Sequence, residues 1–459
     1  MKYIDEPSIN GLLAEAKSVP AAGIEAIINK SLKLERLSLK ETAALLSVED
    51  PELLAKIYRA AAEVKDRIYG KRVVLFAPLY ISNICANGCL YCAFKADNKQ
   101  LVRKALTAAE IKEEVAILLS KGHKRILLVA GESAPAGRKP IDYYVEAVKA
   151  IYDVKVGPHK IRRVNINCAP LEVDEFRRLK EAGIGTFQIF QETYHEETYR
   201  LVHPFGPKSD PDNRIDSVDR AMTAGIDDVG IGVLYGLYDY KFETLALLSH
   251  IEHLEKKFNV GPHTISVPRI EPALGSDLST HVPHPLTDEQ FKKVVAVLRL
   301  AVPYTGLILS TRETAEMRDE LFNLGISQVS AESKTAPGGY GEKDPNAQFV
   351  LNDHRSLDEV IASLLDRGFI PSFCAACYRS DRTGEAFMNL AKPGTIKGKC
   401  SLNALITLKE YLDDFASTRV RQDGYKLIDR IKDNLDESDC SKLSKFFASI
   451  EDGVRDEYV

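Results

Sequence analysis

Residues 72–94, "RVVLFAPLYISNICANGCLYCAF", decide how the rest of the chain is interpreted. The first eleven residues form an apolar run that predicts a buried β-strand. The loop after this run holds three of the eight cysteines, Cys85, Cys89 and Cys92. A structural zinc site usually takes four ligands, and a disulfide framework takes an even number of cysteines in a short secreted chain. Three clustered thiols therefore favour a metal cluster with one open position, and a zinc knuckle with a remote fourth ligand is the alternative.

The composition is typical of an intracellular enzyme. The 459 residues include 61 basic and 66 acidic ones, which gives a net charge of −5 without any basic block. The first residues are polar and acidic, unlike a secretory signal, and the most apolar stretch, residues 73–81, is short and interrupted by Pro78. We therefore predict a cytoplasmic protein that binds neither nucleic acid nor membrane, and whose cysteines bind metal rather than form disulfides.

Short apolar strands alternate with amphipathic helices along most of the chain. The predicted strands are residues 72–82, 125–131, 162–169, 186–192, 227–236, 264–270, 305–311 and 326–331. Eight strand–helix units favour a closed (β/α)8 TIM barrel of the α/β class, with an open parallel sheet as the alternative. The predicted domains are an N-terminal helical extension (1–71), the barrel (72–345) and a mostly helical C-terminal iron–sulfur domain (346–459).

Several chemically capable side chains follow the ends of predicted strands. The three cysteines follow the first strand, Glu132 the second, Glu192 the fourth and Arg312 the seventh. Because the C-terminal ends of the strands meet at one mouth of a (β/α)8 barrel, we expect these residues to form one site there.

The spacing Cys85-x3-Cys89-x2-Cys92 after a first barrel strand resembles the motif of the radical S-adenosylmethionine (SAM) superfamily. This resemblance implies that the three thiolates hold a 4Fe–4S cluster, whose fourth iron binds the amino and carboxylate groups of S-adenosyl-L-methionine. Reductive cleavage of this cofactor then yields a 5′-deoxyadenosyl radical, which abstracts hydrogen from the substrate.

Further residues match the SAM site of the superfamily. Tyr91 occupies the position of an aromatic residue near the adenine, although a core aromatic would fit the same pattern. Gly131 and Glu132, in "AGE", resemble the Gly-Gly-Glu stretch that receives the methionine ammonium, and an ordinary loop carboxylate is the alternative for Glu132. Arg214, in "DNRID", falls where the family has a cation near the methionine carboxylate, and an exposed arginine at a helix start is the alternative.

Two other motifs narrow the resemblance. The stretch "FQETYHEETY", residues 190–199, resembles the Gln-Glu-Thr-Tyr-His motif of the aromatic amino acid lyase branch, in which Glu192 faces SAM. The tail spacing Cys374-x2-Cys377-x22-Cys400 resembles the hallmark of the HydG family of FeFe-hydrogenase maturases, and 2-iminoacetate synthase has no comparable tail. The resemblance covers nearly the whole chain and implies a second 4Fe–4S cluster with an additional labile iron; a structural zinc site is the alternative.

Membership of the HydG family would imply a carbon–carbon lyase. The family cleaves the Cα–Cβ bond of L-tyrosine to p-cresol and dehydroglycine, which is converted to carbon monoxide and cyanide and delivered on iron for H-cluster assembly. A free L-cysteine and one histidine hold the labile iron, and His263, at the start of the sixth predicted strand, matches that histidine unless it is merely structural. The implied partners are an electron donor such as ferredoxin or flavodoxin and the downstream hydrogenase maturation proteins.

The carboxylate of tyrosine requires a cation, and arginine can bind a carboxylate through two parallel hydrogen bonds. Arg312, in "STRE", matches the substrate-carboxylate arginine of the branch, although a salt bridge with Glu313 or a neighbour would explain it equally well. Ser310 and Ser330 are weaker candidates for the same site. Glu332, in "SAES", stands where the family has glycine, so its carboxylate either alters the fit of the substrate or points outward.

Two other functions remain compatible with the sequence. One is a tyrosine lyase like 2-iminoacetate synthase that makes no carbon monoxide, and the other is a non-catalytic iron–sulfur scaffold or electron carrier. Glu132, Glu192 and Arg312 favour an enzyme, because an electron carrier needs no substrate pocket. Since His263 precedes its strand, we also expect the second cluster at the mouth opposite the first.

Overall fold

The structure is a computed structural model and describes residues 1–341 and 346–459. The chain begins with the predicted helices, which are α1 (Glu6–Ala16), α2 (Ala21–Leu32), α3 (Leu39–Leu46) and α4 (Pro51–Tyr69). Local side chains start several of them. Ser38 and Glu41 form a capping box at α3, and the Asp50 carboxylate accepts a hydrogen bond from the Leu53 N–H at the start of α4.

Eight parallel strands close into a barrel. Together with a short hairpin, β3–β4, the strands up to the end of the barrel are β1 (Arg72–Ser82), β2 (Arg125–Ala130), β3 (Lys155–Val156), β4 (His159–Lys160), β5 (Arg163–Asn167), β6 (Phe187–Gln188), β7 (Val229–Gly232), β8 (Thr264–Ser266), β9 (Gly306–Leu309) and β10 (Gln328–Ser330). Neighbours pair in the order β1-β2-β5-β6-β7-β8-β9-β10, and β10 closes onto residues 74–76 of β1. The prediction of a (β/α)8 barrel is therefore confirmed, and the open sheet is excluded.

Several predicted strands were too long; the fifth, for example, is Val229–Gly232 instead of residues 227–236. The fourth is reduced to Phe187–Gln188, and the sixth to Thr264–Ser266. Pro268 lacks an N–H to continue the sixth strand, and Glu192 adopts φ +72°, which turns the chain away from an extended path. Beyond these strands the pairing continues only as isolated bridges, Glu192 with Val233 and Arg269 with Tyr235, as both segments enter the loops at the C-terminal mouth.

Helices surround the barrel. They are α5 (Ala108–Ser120), α6 (Pro140–Asp153), α7 (Val173–Glu181), α8 (Glu196–Val202), α9 (Pro211–Thr223), α10 (Tyr240–Phe258), α11 (Asp277–Thr280), α12 (Asp288–Ala301) and α13 (Ala315–Leu321), with 3-10 turns at Pro207–Ser209 and Phe322–Leu324. On β1, alternate residues face the two sides: Phe76 and Tyr80 line the barrel interior, whereas Leu75 and Leu79 belong to the main core. No helix within the described residues combines the length and the apolar character that crossing a bilayer requires.

The C-terminal region continues the sheet. Strand β11 (Ile370–Ser372), which the sequence did not predict, pairs in parallel with residues 72–74 at the start of β1. The helices of this region are α14 (Leu357–Asp366), α15 (Ala376–Arg379), α16 (Gly384–Ala391), α17 (Ile396–Asp414), α18 (Thr418–Lys432) and α19 (Glu437–Glu451). The predicted domain boundary between residues 345 and 346 lies outside the described residues, and the one between residues 71 and 72 stays a prediction.

Candidate active site

A cavity opens at the C-terminal ends of the barrel strands and collects the residues predicted for that mouth. Its lining includes Cys85, Cys89, Tyr91, Cys92, Gly131, Glu132, Glu192, Arg214, Ser310, Arg312 and Ser330. His263 and the tail cysteines are not part of this lining. The structure therefore brings together one predicted set of side chains and separates it from the other.

The three thiols of the first set are free and enclosed. Cys89 is buried, and Cys85 and Cys92 are half-buried. Burial raises the pKa of Cys89 to about 12 and that of Cys92 to about 11. The Phe94 N–H lies 3.4 Å from the Cys92 sulfur, and the Asn87 amide lies 3.7 Å from the Cys85 sulfur. These donors would stabilise the thiolates that form when the thiols release their protons and bind iron.

The thiol arrangement suits a cluster better than a single ion. Among the described residues, no group of three His, Cys, Asp or Glu side chains is arranged to hold one metal ion. The thiols of Cys85, Cys89 and Cys92 nevertheless lie close enough to raise one another's pKa. A 4Fe–4S cluster takes one thiolate at each iron and so spreads its ligands further apart than a single ion does. The three residues therefore fit the cluster that their spacing predicts.

Next to the thiols, two carboxylates meet two buried cations. Arg214 donates to Glu132 at 2.8 Å, and the Asn87 amide donates to the second Glu132 oxygen at 2.9 Å. The ammonium of Lys208 donates to Glu192 at 2.8 Å, and Arg214 lies 3.8 Å from the same carboxylate. Burial raises the pKa of Glu132, but Arg214 and Lys208 outweigh it, so the net pKa lies below its usual value. The site therefore holds ionised groups of both signs.

Arg214 is only 3% exposed, so it is not the exposed arginine of a helix start. Lys208 was missed by the sequence analysis. It lies in the 3-10 turn Pro207–Ser209, and nothing local distinguishes it from a surface lysine.

Other residues of the predicted Gln-Glu-Thr-Tyr-His motif hold neighbouring helices. The Gln191 amide donates to the Pro211 carbonyl at the start of α9, at 3.1 Å. The Tyr194 hydroxyl pairs with Nδ1 of His250 on α10 at 2.9 Å. Only Glu192 of the motif lines the cavity. The motif therefore fixes the rim on which Glu192 is presented.

Tyr91 lines the cavity and contacts a buried histidine. Its hydroxyl lies 2.8 Å from Nε2 of His203, and Nδ1 of His203 lies 2.9 Å from the Tyr199 carbonyl. Burial lowers the pKa of His203, so the ring is neutral at pH 7. Since the carbonyl can only accept, Nδ1 carries the proton and Nε2 accepts from the Tyr91 hydroxyl. Tyr91 is therefore held as a rigid wall of the cavity.

Arg312 presents a cation to the cavity without a carboxylate partner. Within the described residues it forms no ion pair at 4 Å or less; one N–H donates to the Arg269 carbonyl at 3.3 Å, and the guanidinium lies 3.5 Å from the centre of the Phe349 ring. Glu313 pairs with Arg269 instead, so the predicted alternative, a Glu313–Arg312 salt bridge, is not formed. The guanidinium is thus available to an anionic ligand.

Several hydroxyl and amide groups complete the cavity wall. Ser310 accepts a long hydrogen bond, 3.4 Å, from the Arg312 N–H. The hydroxyls of Ser330 and Ser333 and the side-chain oxygen of Gln188 are buried, line the cavity and have no hydrogen-bond partner among the described residues. Such groups are costly to leave unpaired, which indicates a polar ligand or water in the cavity. The sequence predicted Ser310 and Ser330 but not Ser333 or Gln188.

Glu332 points away from the cavity. Its carboxylate pairs with Lys121, which follows α5, and accepts a hydrogen bond of 3.4 Å from the Leu357 N–H at the start of α14. Its backbone has φ +50°, a left-handed conformation that glycine adopts most easily. The glycine expected from the family is explained by this backbone, and the carboxylate is bound on the outside of the barrel.

The tail thiols lie at the opposite end of β1. Cys374 and Cys400 are buried and Cys377 is half-buried. All three interact electrostatically with Arg72, the first residue of β1, and burial raises the pKa of Cys400 to about 12. At about 3.3 Å per residue, β1 carries the chain about 30 Å from Arg72 to the loop that holds Cys85. The two thiol sets are therefore at opposite mouths of the barrel.

His263 lies on the side of the tail thiols. It immediately precedes β8, and its ring lies 4.6 Å from the Phe387 ring and 6.2 Å from the ring of Tyr378, the residue after Cys377. Nδ1 is 3.9 Å from the Asp228 carboxylate. Burial lowers the pKa of His263, so the ring is neutral and able to act as a ligand.

Known proteins resemble this chain over most or all of its length. The model of the radical SAM superfamily matches residues 79–249, and that of the Biotin and Thiamin Synthesis associated domain matches residues 266–370. The 2-iminoacetate synthase of Escherichia coli (strain K12) is 33% identical over 347 residues, 75% of this chain and 89% of the relative. A crystal structure of HydG, a maturase of the [FeFe]-hydrogenase, is 47% identical, covers 100% of both chains and has a TM-score of 0.97. The HydG maturase of Carboxydothermus hydrogenoformans is 42% identical over 96% of this chain and 97% of its own, with a TM-score of 0.83.

Proposed function

The chain belongs to the radical SAM superfamily, in the family of the HydG maturases and 2-iminoacetate synthase, and we propose that it is a tyrosine lyase of FeFe-hydrogenase maturation. As a radical SAM enzyme it uses a 4Fe–4S cluster and SAM. The observation that carries the proposal is the pair of three-thiol sets at opposite mouths of one barrel. In the proposed reaction, one site would release a fragment of the substrate and the other would capture it.

The proposed reaction cleaves L-tyrosine to p-cresol and dehydroglycine. When bound at Cys85, Cys89 and Cys92, the cluster and SAM supply the radical that starts this cleavage. Residues of the cavity wall would bind and orient the substrate, and Arg312 would bind the substrate carboxylate with its unpaired guanidinium. The hydroxyls of Ser310 and Ser330 would complete the substrate contacts.

The ionised pairs beside the thiols are suited to the polar end of SAM. Glu132 would receive the methionine ammonium, and Arg214 its carboxylate, so the ligand would replace part of the Glu132–Arg214 contact. Glu192 and Tyr91 would complete this site. Gly131 allows the backbone of the cysteine loop to approach it closely. A Cβ at this position would lie 2.3 Å from the Ile84 carbonyl oxygen.

The second part of the proposal concerns the opposite mouth. Cys374, Cys377 and Cys400 would hold a second 4Fe–4S cluster, and His263 with a free L-cysteine would hold an additional labile iron. There dehydroglycine would be converted to carbon monoxide and cyanide bound to iron. Supporting this, the match to the HydG structures covers 96–100% of the chain, whereas the match to 2-iminoacetate synthase covers 75%. Downstream maturation proteins would take the product.

One anaerobic experiment tests the proposal. Reconstituted protein is incubated with L-tyrosine, SAM and dithionite, and we expect 5′-deoxyadenosine, p-cresol and iron-bound carbon monoxide, the last by infrared spectroscopy. Replacing Cys85, Cys89 and Cys92 by alanine should abolish all three products. p-Cresol without carbon monoxide would instead indicate an enzyme like 2-iminoacetate synthase, and no 5′-deoxyadenosine from the unmodified protein would indicate an iron–sulfur scaffold.

A further inference from the structure

An arginine without a hydrogen-bond partner faces the tail thiols. Arg72, Arg125 and Arg382 all interact electrostatically with these thiols. Arg125 donates a hydrogen bond to the Cys374 carbonyl, and Arg382 donates one to the Val459 carbonyl at 2.9 Å. Within residues 1–341 and 346–459, the side chain of Arg72 forms neither a hydrogen bond nor an ion pair, and its Nε atom is buried. Arg72 therefore presents a cation with unused N–H donors to the tail thiols.

The strand β1 fixes the direction of the Arg72 side chain. Phe76 lines the barrel interior, and Arg72 lies four residues before it, on the same side of β1. Arg72 also pairs in register with Ile370 of β11, and the chain reaches Cys374 two residues after this strand ends. The pairing of the two strands thus holds Arg72 and the first tail cysteine in a fixed relationship.

An aromatic ring contacts the guanidinium without satisfying its N–H groups. The guanidinium carbon of Arg72 lies 5.4 Å from the centre of the Tyr69 ring. This contact is with the π-electrons of the ring and supplies no oxygen or nitrogen acceptor. Buried N–H donors are costly to leave unpaired, which indicates that an acceptor binds beside Arg72. The sulfur atoms of a 4Fe–4S cluster are acceptors of this kind.

We propose that Arg72 donates hydrogen bonds to the sulfur atoms of the cluster held by the tail thiols, here called the tail cluster, and raises its reduction potential. This inference rests on the proposed function, which places a 4Fe–4S cluster at this mouth. Reduction adds a negative charge to the cluster, so a neighbouring guanidinium stabilises the reduced form more than the oxidised form. Hydrogen bonds to the sulfur atoms act in the same direction, because the reduced cluster is the stronger acceptor.

The test measures the reduction potential of the tail cluster directly. When Cys85, Cys89 and Cys92 are replaced by alanine, the reconstituted full chain should hold the tail cluster alone. Electron paramagnetic resonance then follows the reduction of this cluster in a redox titration without tyrosine or SAM. At a fixed solution potential, Arg72→Gln should lower the ratio of reduced to oxidised cluster at least about tenfold. This change corresponds to a midpoint potential about 59 mV lower for a one-electron couple.

Two further variants separate the charge of Arg72 from its hydrogen bonds and from general effects of charge. Arg72→Lys keeps the charge but loses the planar fork of donors, so its midpoint potential should lie between those of Arg72→Gln and the unmodified residue. Lys71→Gln removes an exposed charge at the preceding position, where water and salt screen it, and should leave the midpoint potential unchanged. Iron and sulfide content and the unfolding midpoint are measured for each variant.

Two results would overturn the proposal. One is an unchanged midpoint potential of the tail cluster in Arg72→Gln with full cluster content, which would mean that the guanidinium binds a different anion. The other is an equal shift of the first cluster, measured in chains that lack Cys374 and Cys377, because that cluster lies about 30 Å away along β1. Should Arg72→Gln take up no tail cluster, an unchanged midpoint potential in Arg72→Lys would likewise contradict it. Failure of the proposed function is distinguishable, because the unmodified protein would then hold one cluster instead of two.

Discussion

Glu243, buried on α10, accepts a hydrogen bond from the hydroxyl of Thr193, the residue that follows Glu192 at the rim of the cavity. The second Glu243 oxygen accepts from the Tyr194 N–H at 2.8 Å. Glu192 itself has φ +72°, a conformation that costs a residue other than glycine about 1 kcal/mol or more. The Glu243 carboxyl therefore anchors the strained turn that presents Glu192 to the cavity.

We predict that Glu243→Ala weakens SAM binding although Glu243 is not part of the cavity lining. The substitution leaves the Thr193 hydroxyl and the Tyr194 N–H unpaired, which costs about 1–3 kcal/mol for each group and frees the turn to relax. Glu243→Gln keeps one hydrogen-bond acceptor, so its affinity for SAM should lie between that of Glu243→Ala and that of the unmodified protein. Equilibrium binding of SAM to reconstituted protein with equal cluster content is the measurement. Glu252→Gln, which removes a half-exposed partner of Arg36 on the same helix, is the control and should bind normally.

Glu243 should also make stability depend on pH. Burial raises its pKa from 4.5 to about 8, whereas its hydrogen bonds act in the opposite direction. Between these two values the folded state holds a proton that the unfolded state has lost, so the contribution to stability is present below about pH 4.5 and is lost as the pH rises through about 8. Denaturant unfolding from pH 5 to 9 should therefore show the protein losing stability relative to Glu243→Gln. A constant difference across this range would mean that Glu243 is ionised throughout.

Arg312→Lys should raise the KM for tyrosine by about 10- to 100-fold, since lysine keeps the charge but loses the planar fork. Uncoupled cleavage of SAM should stay intact, because Arg312 does not contact the carboxylates beside the thiols. Steady-state p-cresol formation and 5′-deoxyadenosine formation without tyrosine separate the two effects. Arg200→Lys, on the exposed side of α8, is the control. An unchanged dependence on tyrosine would move carboxylate binding to another residue.

The sequence was sufficient to predict the barrel, because the helices and strands of the barrel carry strong local signals. The sequence patterns Thr107-x2-Glu110 and Thr287-x2-Gln290 both form capping boxes, and each starts a helix of the outer layer. The hairpin β3–β4 and the strand β11 were not predicted, because strands of two or three residues are too short to show an alternating pattern. The pairing of β11 with β1 joins residues about 300 positions apart, which no local pattern can report.

The candidate site was only partly predictable for a similar reason. Cysteine spacing and strand ends indicate which residues lie at a mouth, but not which groups hold them there. Lys208 and Glu243 resemble surface residues in the sequence and acquire their roles only when α10 and the 3-10 turn close against the Gln191–His195 segment. Glu332 shows the converse, because a residue just beyond a strand can face either side of the barrel.

Glu332→Gly should leave tyrosine cleavage unchanged. The carboxylate lies outside the cavity and pairs with Lys121, and such a pair contributes about 0–1 kcal/mol when it is partly exposed. Glycine would relieve the strain of the left-handed backbone, which is of similar size. We therefore expect a net change in the free energy of unfolding within about 1 kcal/mol. Denaturant unfolding and the KM for tyrosine are the two measurements. A shifted KM would show that the carboxylate reaches the substrate after all.

The last prediction separates the two mouths of the barrel. Cys374→Ala with Cys377→Ala removes two of the three tail thiols, which lie about 30 Å along β1 from the loop that holds Cys85. This variant should still form p-cresol, with little or no iron-bound carbon monoxide. His263→Ala should have the same effect in milder form, because it removes one neutral imidazole and leaves the three thiols in place.

The matched control is Cys440→Ala, a half-buried cysteine on α19 outside both thiol sets, which should keep both products. p-Cresol is measured by chromatography and iron-bound carbon monoxide by infrared spectroscopy, with folding checked by the unfolding midpoint. The separation of the two thiol sets along β1 predicts that the products respond independently. Equal loss of p-cresol and carbon monoxide in a well-folded Cys374/Cys377 variant would mean that the two sites work as one.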